Sequence, residues 1–225
     1  MLDYYNHLAT IPNVKILSYD KEFNYSDMVN TAVKECCGEY VLLLDSDTQV
    51  ITSDWIEELL MYAQRTDVGA VGAKLLFPND IVQHAGIILG LGQDRIASNS
   101  HLGIDNNTNQ GYMGKLFYAQ NITAVTSACL LVKKDTFIAV GGFDKQLSIV
   151  YPDVDFCLKL RDKGLLNILN PFSVLYHTNE QVDYDKDVFN YECRLFKKKW
   201  NTTIQKGDPY YNPNFSLDHS YLIAE

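Results

Sequence analysis

Three observations predict an α/β fold with an open, mostly parallel sheet flanked by helices. Apolar runs of strand length alternate with amphipathic segments of helical period across residues 14–77, in a β-α-β-α-β order. The run Tyr40–Leu44 is uninterrupted, as in a strand buried on both faces. It leads into Asp45-Ser46-Asp47, and ligands of open α/β sheets bind just beyond such strand ends. The chain has 225 residues, 47% of them apolar and 12% aromatic, enough for one sizeable core. No repeat, low-complexity tract or linker divides it, so residues 1–225 read as a single domain, with 183–225 as a C-terminal helix and tail.

Taken in order, residues 1–12 read as a short helix closed by Pro12, and Val14–Tyr19 as a strand. Ser26–Cys37 reads as a helix with Met28, Val29, Ala32 and Val33 on one face and Gly38 as its stop. After the Tyr40–Leu44 strand, residues 53–65 form a helix whose apolar side carries Trp55, Ile56, Leu59, Leu60 and Ala63. Val68–Phe77 is a further strand, broken at Pro78. A short strand spans Ala85–Leu91, and the polar, glycine-rich stretch Gly92–Gly114 reads as a functional loop. Ala124–Val132 returns to strand character, and Asp135–Val140 is a helical turn before Gly141-Gly142. Pro152–Lys163 forms a helix with proline in its first turn and Gly164 as its stop. Ser173–His177 is the last strand and Asp183–Trp200 the C-terminal helix.

Charge and cysteine content narrow the function. Nineteen Lys and Arg against 28 Asp and Glu give a net charge of −9, the wrong sign for a general nucleic-acid binder. The five cysteines lack metal-site spacing and read as buried free thiols of a reducing compartment. No signal peptide opens the chain and no apolar run approaches the ~20 residues of a membrane span, so a cytoplasmic location is expected. A basic patch of Arg194 and Lys197–Lys199 beside Trp200 suits peripheral contact with an anionic inner-membrane face, or simply complements a helix C-terminus.

On a continuing strand Asp45 and Asp47 project the same way. Their carboxylates repel unless a cation joins them, and hard oxygen ligands suit Mg²⁺ or Mn²⁺ with coordination left for phosphate oxygens. The competing reading is a helix cap or Asx turn. In the Pro152–Lys163 helix, steps of 100° put Asp153 in the apolar arc with Cys157 and Leu160, and Asp155 on the polar arc near Lys159. Asp153 therefore reads as a partly desolvated carboxylate suited to general-base work, or as a helix-dipole partner. His177 ends an apolar strand, from which imidazole completes a metal shell or makes a structural hydrogen bond. Gly141-Gly142-Phe143-Asp144 is a tight turn able to bring backbone close to a ligand.

Taken in sequence, several segments resemble the family 2 glycosyltransferases. They are Phe23-Asn24-Tyr25-Ser26 with Asn30, Gly38–Asp47, Val71–Leu75, Gln83-His84-Ala85-Gly86, Ala124–Cys129, Gly141–Asp144, Asp153–Leu160, Tyr176-His177 and Asp208–Asn214. The resemblance covers nearly the whole chain and looks like a bacterial subgroup tied to O-antigen and other surface polysaccharides, rhamnosyltransferase-like members included. It implies a GT-A fold and an inverting, metal-dependent transfer from a nucleotide sugar to a glycan or lipid-linked acceptor. It also implies roles: Asp45, Asp47, Asn24 and Asn30 at the donor nucleotide, Asp47 and His177 on Mn²⁺ or Mg²⁺, and Asp153 as the general base. Gly142, Asp144, Thr126 and His84 would border the sugar and acceptor. Family members usually begin with a strand–helix–strand that holds the nucleoside, and the first residues here match the segment beyond it. That leaves the donor site incomplete and a sheet edge bare, which could drive a homodimer. Two other readings stand: a catalytically impaired remnant acting as a binding module, and a haloacid-dehalogenase-type phosphatase built on Asp45-Ser46-Asp47-Thr48.

Overall fold

The computed structural model describes residues 5, 7–178 and 185–222. Its centre is one seven-stranded mixed sheet. We label the strands β1 (Tyr40–Leu44), β2 (Thr48–Val50), β3 (Val68–Leu76), β4 (Val82–His84), β5 (Ile87–Leu89), β6 (Ala97–Asn99), β7 (Gln120–Ile122), β8 (Cys129–Lys133) and β9 (Leu166–His177). The helices are α1 (Tyr25–Glu35), α2 (Trp55–Ala63), α3 (Lys134–Ala139), α4 (Pro152–Asp162) and α5 (Lys186–Gln205), with a 3₁₀ segment at Tyr112–Phe117. The sheet runs β1-β8-β3-β9-β2, with β4 on β3 and β7 on β9; β5 and β6 form a separate ribbon.

Period-two alternation sorts the sheet's side chains into two cores. Val71, Ala73 and Leu75 of β3, with Cys129 and Leu131 of β8, pack under Leu59 and Ala63 of α2. Ala70, Leu130 and Val132 face the opposite way, into a larger core with Val29 and Val33 of α1, Phe156 and Leu158 of α4, and Phe196 of α5. Three layers result, with α2 alone on one side and the site-bearing helices on the other.

The sheet is mixed rather than mostly parallel. Of the named pairs in it, only β3 with β9 is parallel. Long antiparallel returns, which a β-α-β reading of the first half does not anticipate, bring β8 in between β1 and β3. β1 is consequently an edge strand among the described residues, and Leu44 is 44% exposed rather than buried on both faces. Val14–Tyr19 forms no strand: it joins no ladder, and Ile16 and Leu17 lie exposed. The expected helix over 1–12 falls partly outside the described residues; its described part reaches Leu8.

β9 is more than twice as long as the expected Ser173–His177. Its register against β3 shifts between Ala73 and Lys74, whose partners jump from Asn170 to Val174. That irregularity accommodates Pro171, the residue that makes the sequence look broken. The glycine-rich Gly92–Gly114 stretch contains β6 and the start of the 3₁₀ segment. Ala124–Ala128 is not strand but an isolated bridge followed by a turn at Ser127-Ala128. Cys129, Cys157 and Cys193 are buried free thiols as expected, whereas Cys36 and Cys37 are exposed. No helix among the described residues is long and apolar enough to cross a membrane.

Candidate functional site

Asp45 leaves the end of β1 with its amide donating to the Ala128 carbonyl at 3.1 Å. The chain then turns instead of continuing as a strand. Thr48 donates its amide (3.2 Å) and its hydroxyl (2.7 Å) to the Asp45 carbonyl. β2 begins there, and its antiparallel pairing with β9 sets Thr48 opposite His177. This turn and pairing gather the three side chains that the strand-alternation argument joins only in part. His177 Nε2 lies 3.1 Å from Asp47 Oδ1 and 3.7 Å from Asp45 Oδ2.

One ligand atom each from Asp45, Asp47 and His177 lies within 4.8 Å of the others. Burial raises the Asp45 pKa; His177 opposes that rise and the charge of Asp47 adds to it. A divalent cation would relieve the repulsion, and two carboxylates with one imidazole suit Mn²⁺ well. The residues present fit such an ion.

Asp153 opens α4, one residue after Pro152, and is half-buried. Its Oδ2 accepts the Ser127 amide at 3.1 Å and its Oδ1 the Val154 amide at 2.8 Å, so the carboxylate is fixed in direction. The turn at Ser127-Ala128 frees that amide for the purpose. Burial raises the Asp153 pKa, while the amides and the Thr126 hydroxyl hold it back. The preceding residue, Tyr151, sits at φ 58°, a left-handed conformation costly for a bulky side chain. Asp153 and Asp45 line one cleft of about 260 Å³, together with Phe23, Tyr25, Ser127, Ile149 and Pro152.

The remaining expected site residues divide. Thr126 stands beside Asp153, its hydroxyl hydrogen-bonded to that carboxylate. His84 is buried, and its Nε2 accepts the Gly86 and Thr126 amides at 3.4 Å each while Nδ1 faces Asn99 at 2.6 Å. Burial lowers its pKa to about 4, so it is a neutral prop beneath the Thr126 segment. Asn24 caps α1, accepting the Asp27 amide at 2.8 Å and donating to the Lys145 carbonyl at 2.9 Å. Asn30 clamps Phe143 through both the amide and the carbonyl of that residue, each at 2.8 Å. Gly142 (φ 60°) admits no side chain there, because an added Cβ would collide with Asn30 Oδ1. Asp144 Oδ2 pairs with Lys199 at 2.7 Å. Gly142 lines a different cleft from the Asp45–Asp153 one, with Asn30, Phe137 and Lys145. These amides and charges hold the scaffold together, and none of the four lines the cleft that holds Asp45 and Asp153.

Asp155 corrects the helical-arc argument. It is fully buried, not solvated, because α5 packs over the polar arc of α4. Trp200 Nε1 donates to it at 2.8 Å, and Lys199 and Lys159 pair with it at 2.7 and 3.1 Å. Trp200 is therefore a buried anchor, whereas Lys199 stays exposed and bridges Asp155 and Asp144. Tyr25 and Ser127 join the cleft without a sequence signal of their own beyond lying in the quoted segments. So does Gln83 in the shell behind His177, since a neutral amide has no charge pattern to betray it.

The fold and sequence can be set against known proteins. The profile described as Glycosyl transferase family 2 matches residues 2–139, well over half of the chain. A protein of Sinorhizobium fredii (strain NBRC 101917 / NGR234), Uncharacterized protein y4gI, is 39% identical over 217 residues, covering 93% of this chain and 23% of that protein. O-antigen biosynthesis protein RfbC of Myxococcus xanthus is 33% identical over 209 residues, covering 92% of this chain and 16% of that protein. The chain thus spans less than a quarter of the length of either relative. Two solved structures share the fold at 14% identity. One is GalNAc-T7 with UDP, GalNAc and Mn²⁺, with a TM-score of 0.60 over 78% of this chain and 34% of that one. The other is the mannosyltransferase PcManGT from Pyrobaculum calidifontis with GDP-Man and Mn²⁺, with a TM-score of 0.51 over 76% of this chain and 41% of that one. The expected GT-A-like α/β fold is the fold observed.

Proposed function

The chain belongs to glycosyl transferase family 2, and from that premise we propose that it moves a sugar from a nucleotide-sugar donor to a hydroxyl acceptor with inversion, with the help of a divalent metal. The observation that carries this reading is the single cleft shared by Asp45 and Asp153, with Asp47 and His177 gathered beside Asp45. Asp45, Asp47 and His177 would hold the ion. When bound, the cation supplies charge neutralisation for the departing diphosphate. Asp153, ionised and aimed by two amides, accepts the proton of the acceptor hydroxyl. The acceptor oxygen then bonds to the anomeric carbon while the bond to the diphosphate breaks and its electron pair leaves with the nucleotide. One base and one displacement give inversion.

Membership of the family removes the basis for the phosphatase reading. The similarity to a Myxococcus xanthus protein named for O-antigen biosynthesis supports a glycan or lipid-linked acceptor in surface-polysaccharide assembly. The two fold relatives hold Mn²⁺ with UDP or with GDP-Man, which supports a nucleoside-diphosphate sugar as the donor class. Calorimetry with UDP and GDP tests the reading directly. Binding should require Mn²⁺ and weaken sharply in Asp47→Ala. Equal affinity with and without Mn²⁺ would overturn it.

A further inference from the structure

We propose that Gln83 is a positioning residue for His177, locking the imidazole in its Nδ1-protonated tautomer so that Nε2 is offered bare to the metal. The proposal rests on the metal reading of Asp45, Asp47 and His177 given above.

The backbone sets the arrangement up. Across β3 and β4, Leu75 pairs with His84 and Leu76 with Val82. Gln83 is thus the extra residue of a β-bulge, a device that re-aims a side chain out of the ordinary alternation. β9 lies on the other side of β3, with Leu76 opposite Tyr176, so the bulge sits level with His177. Gln83 is 7% exposed.

The hydrogen bonds determine the tautomer. Gln83 meets His177 at two points: Nε2 lies 3.3 Å from the His177 carbonyl oxygen, and Oε1 lies 2.6 Å from Nδ1. A carbonyl oxygen only accepts, so the amide nitrogen must be the end facing it. That leaves Oε1, which also only accepts, against Nδ1. Nδ1 must therefore carry a proton, which leaves Nε2 as the nitrogen that offers a lone pair once an ion stands between it and the carboxylates. Nε2 is the atom lying beside Asp47 and Asp45. The carbonyl contact fixes the amide and the amide fixes the ring, so the ligand is oriented before any ion arrives. Metal-bound histidines are generally oriented by such a partner on the other nitrogen, whose loss typically costs 10–100-fold in metal affinity.

Two measurements test this. The first is Mn²⁺ affinity, followed through the signal of free Mn²⁺ by electron paramagnetic resonance. Gln83→Leu should weaken binding 10–100-fold, and Gln83→Glu, whose carboxylate still accepts from Nδ1 but cannot donate to the His177 carbonyl, should restore part of it. In a His177→Ala background Gln83→Leu should cost nothing more, because its effect passes through the ring. The second is ¹⁵N NMR of His177 in metal-free protein with the ring neutral. The wild type should show Nδ1 protonated, and Gln83→Leu should lose that preference. Unchanged Mn²⁺ affinity in Gln83→Leu, an equal loss in both backgrounds, or an Nε2-protonated wild-type ring overturns the proposal. Absence of Mn²⁺ binding by the wild type overturns the metal reading instead, and the ring spectrum still decides the role of Gln83.

Discussion

Two of the chain's Asp-x-Asp triplets, Asp45-Ser46-Asp47 and Asp153-Val154-Asp155, have opposite fates. In the first, a turn between β1 and β2 brings both carboxylates together onto His177. In the second, helical steps drive the two apart. Asp153 stays at the cleft, while Asp155 enters the core between α4 and α5 and meets Trp200, Lys199 and Lys159. The same spacing thus yields two clustered carboxylates in one place, and one cleft carboxylate with one core carboxylate in the other. Spacing matters only through the backbone that carries it: a two-residue step is 200° on a helix, and a turn can fold it back on itself.

Breaking the second triplet at its first member should have the largest effect. Asp153→Asn keeps the shape and one of the two amide contacts, since its Nδ2 cannot accept, and it cannot take a proton, so transfer should fall ~10²–10⁴-fold with donor binding intact. Single-turnover assay beside calorimetry separates the two, and retained turnover would remove Asp153 from the base role. Breaking it at the second member should instead cost stability. Asp155→Ala deprives the mostly buried Lys159 of its carboxylate and the Trp200 indole N–H of its acceptor, and about 3 kcal/mol should be lost. A urea midpoint shift at unchanged slope reads this out. A neutral Asp155→Ala would show that the Trp200 packing suffices without the charge.

The smallest effect is a pH shift. Burial raises the Asp153 pKa, and the base must be ionised to work. Activity should therefore fall as pH drops through a value above the ordinary aspartate value of about 3.9. Asp45 is raised in the same direction, so the profile of kcat/KM should be taken at saturating Mn²⁺ to keep that carboxylate metal-bound. An acid limb at or below the ordinary value would mean that the hydrogen bonds from Ser127 and Val154 outweigh the burial.

Much of this was legible locally. The apolar run before Asp45 marks a strand end, Pro152 marks the first turn of α4, and the order of segments marks the family. Those signals are local because propensity, capping and motif are local. Asn24, Asn30 and Asp144 were legible as belonging to shared motifs, yet their side chains are spent on capping, clamping Phe143 and pairing with Lys199. A motif preserves a residue type without saying whether it touches ligand or scaffold.

By itself, the sequence determined which side chains are available: two closely spaced carboxylates at a strand end, a third in a helix's first turn, and a histidine closing an apolar run. Only the tertiary structure decided which of them meet. The pairing of Thr48 with His177 spans well over a hundred residues of chain, and periodicity reports the face of a strand but not its neighbour. The cover that α5 lays over Asp155 and the bulge that aims Gln83 at His177 are likewise contacts between distant elements. Their physical cause is the closure of the fold, which no local pattern encodes.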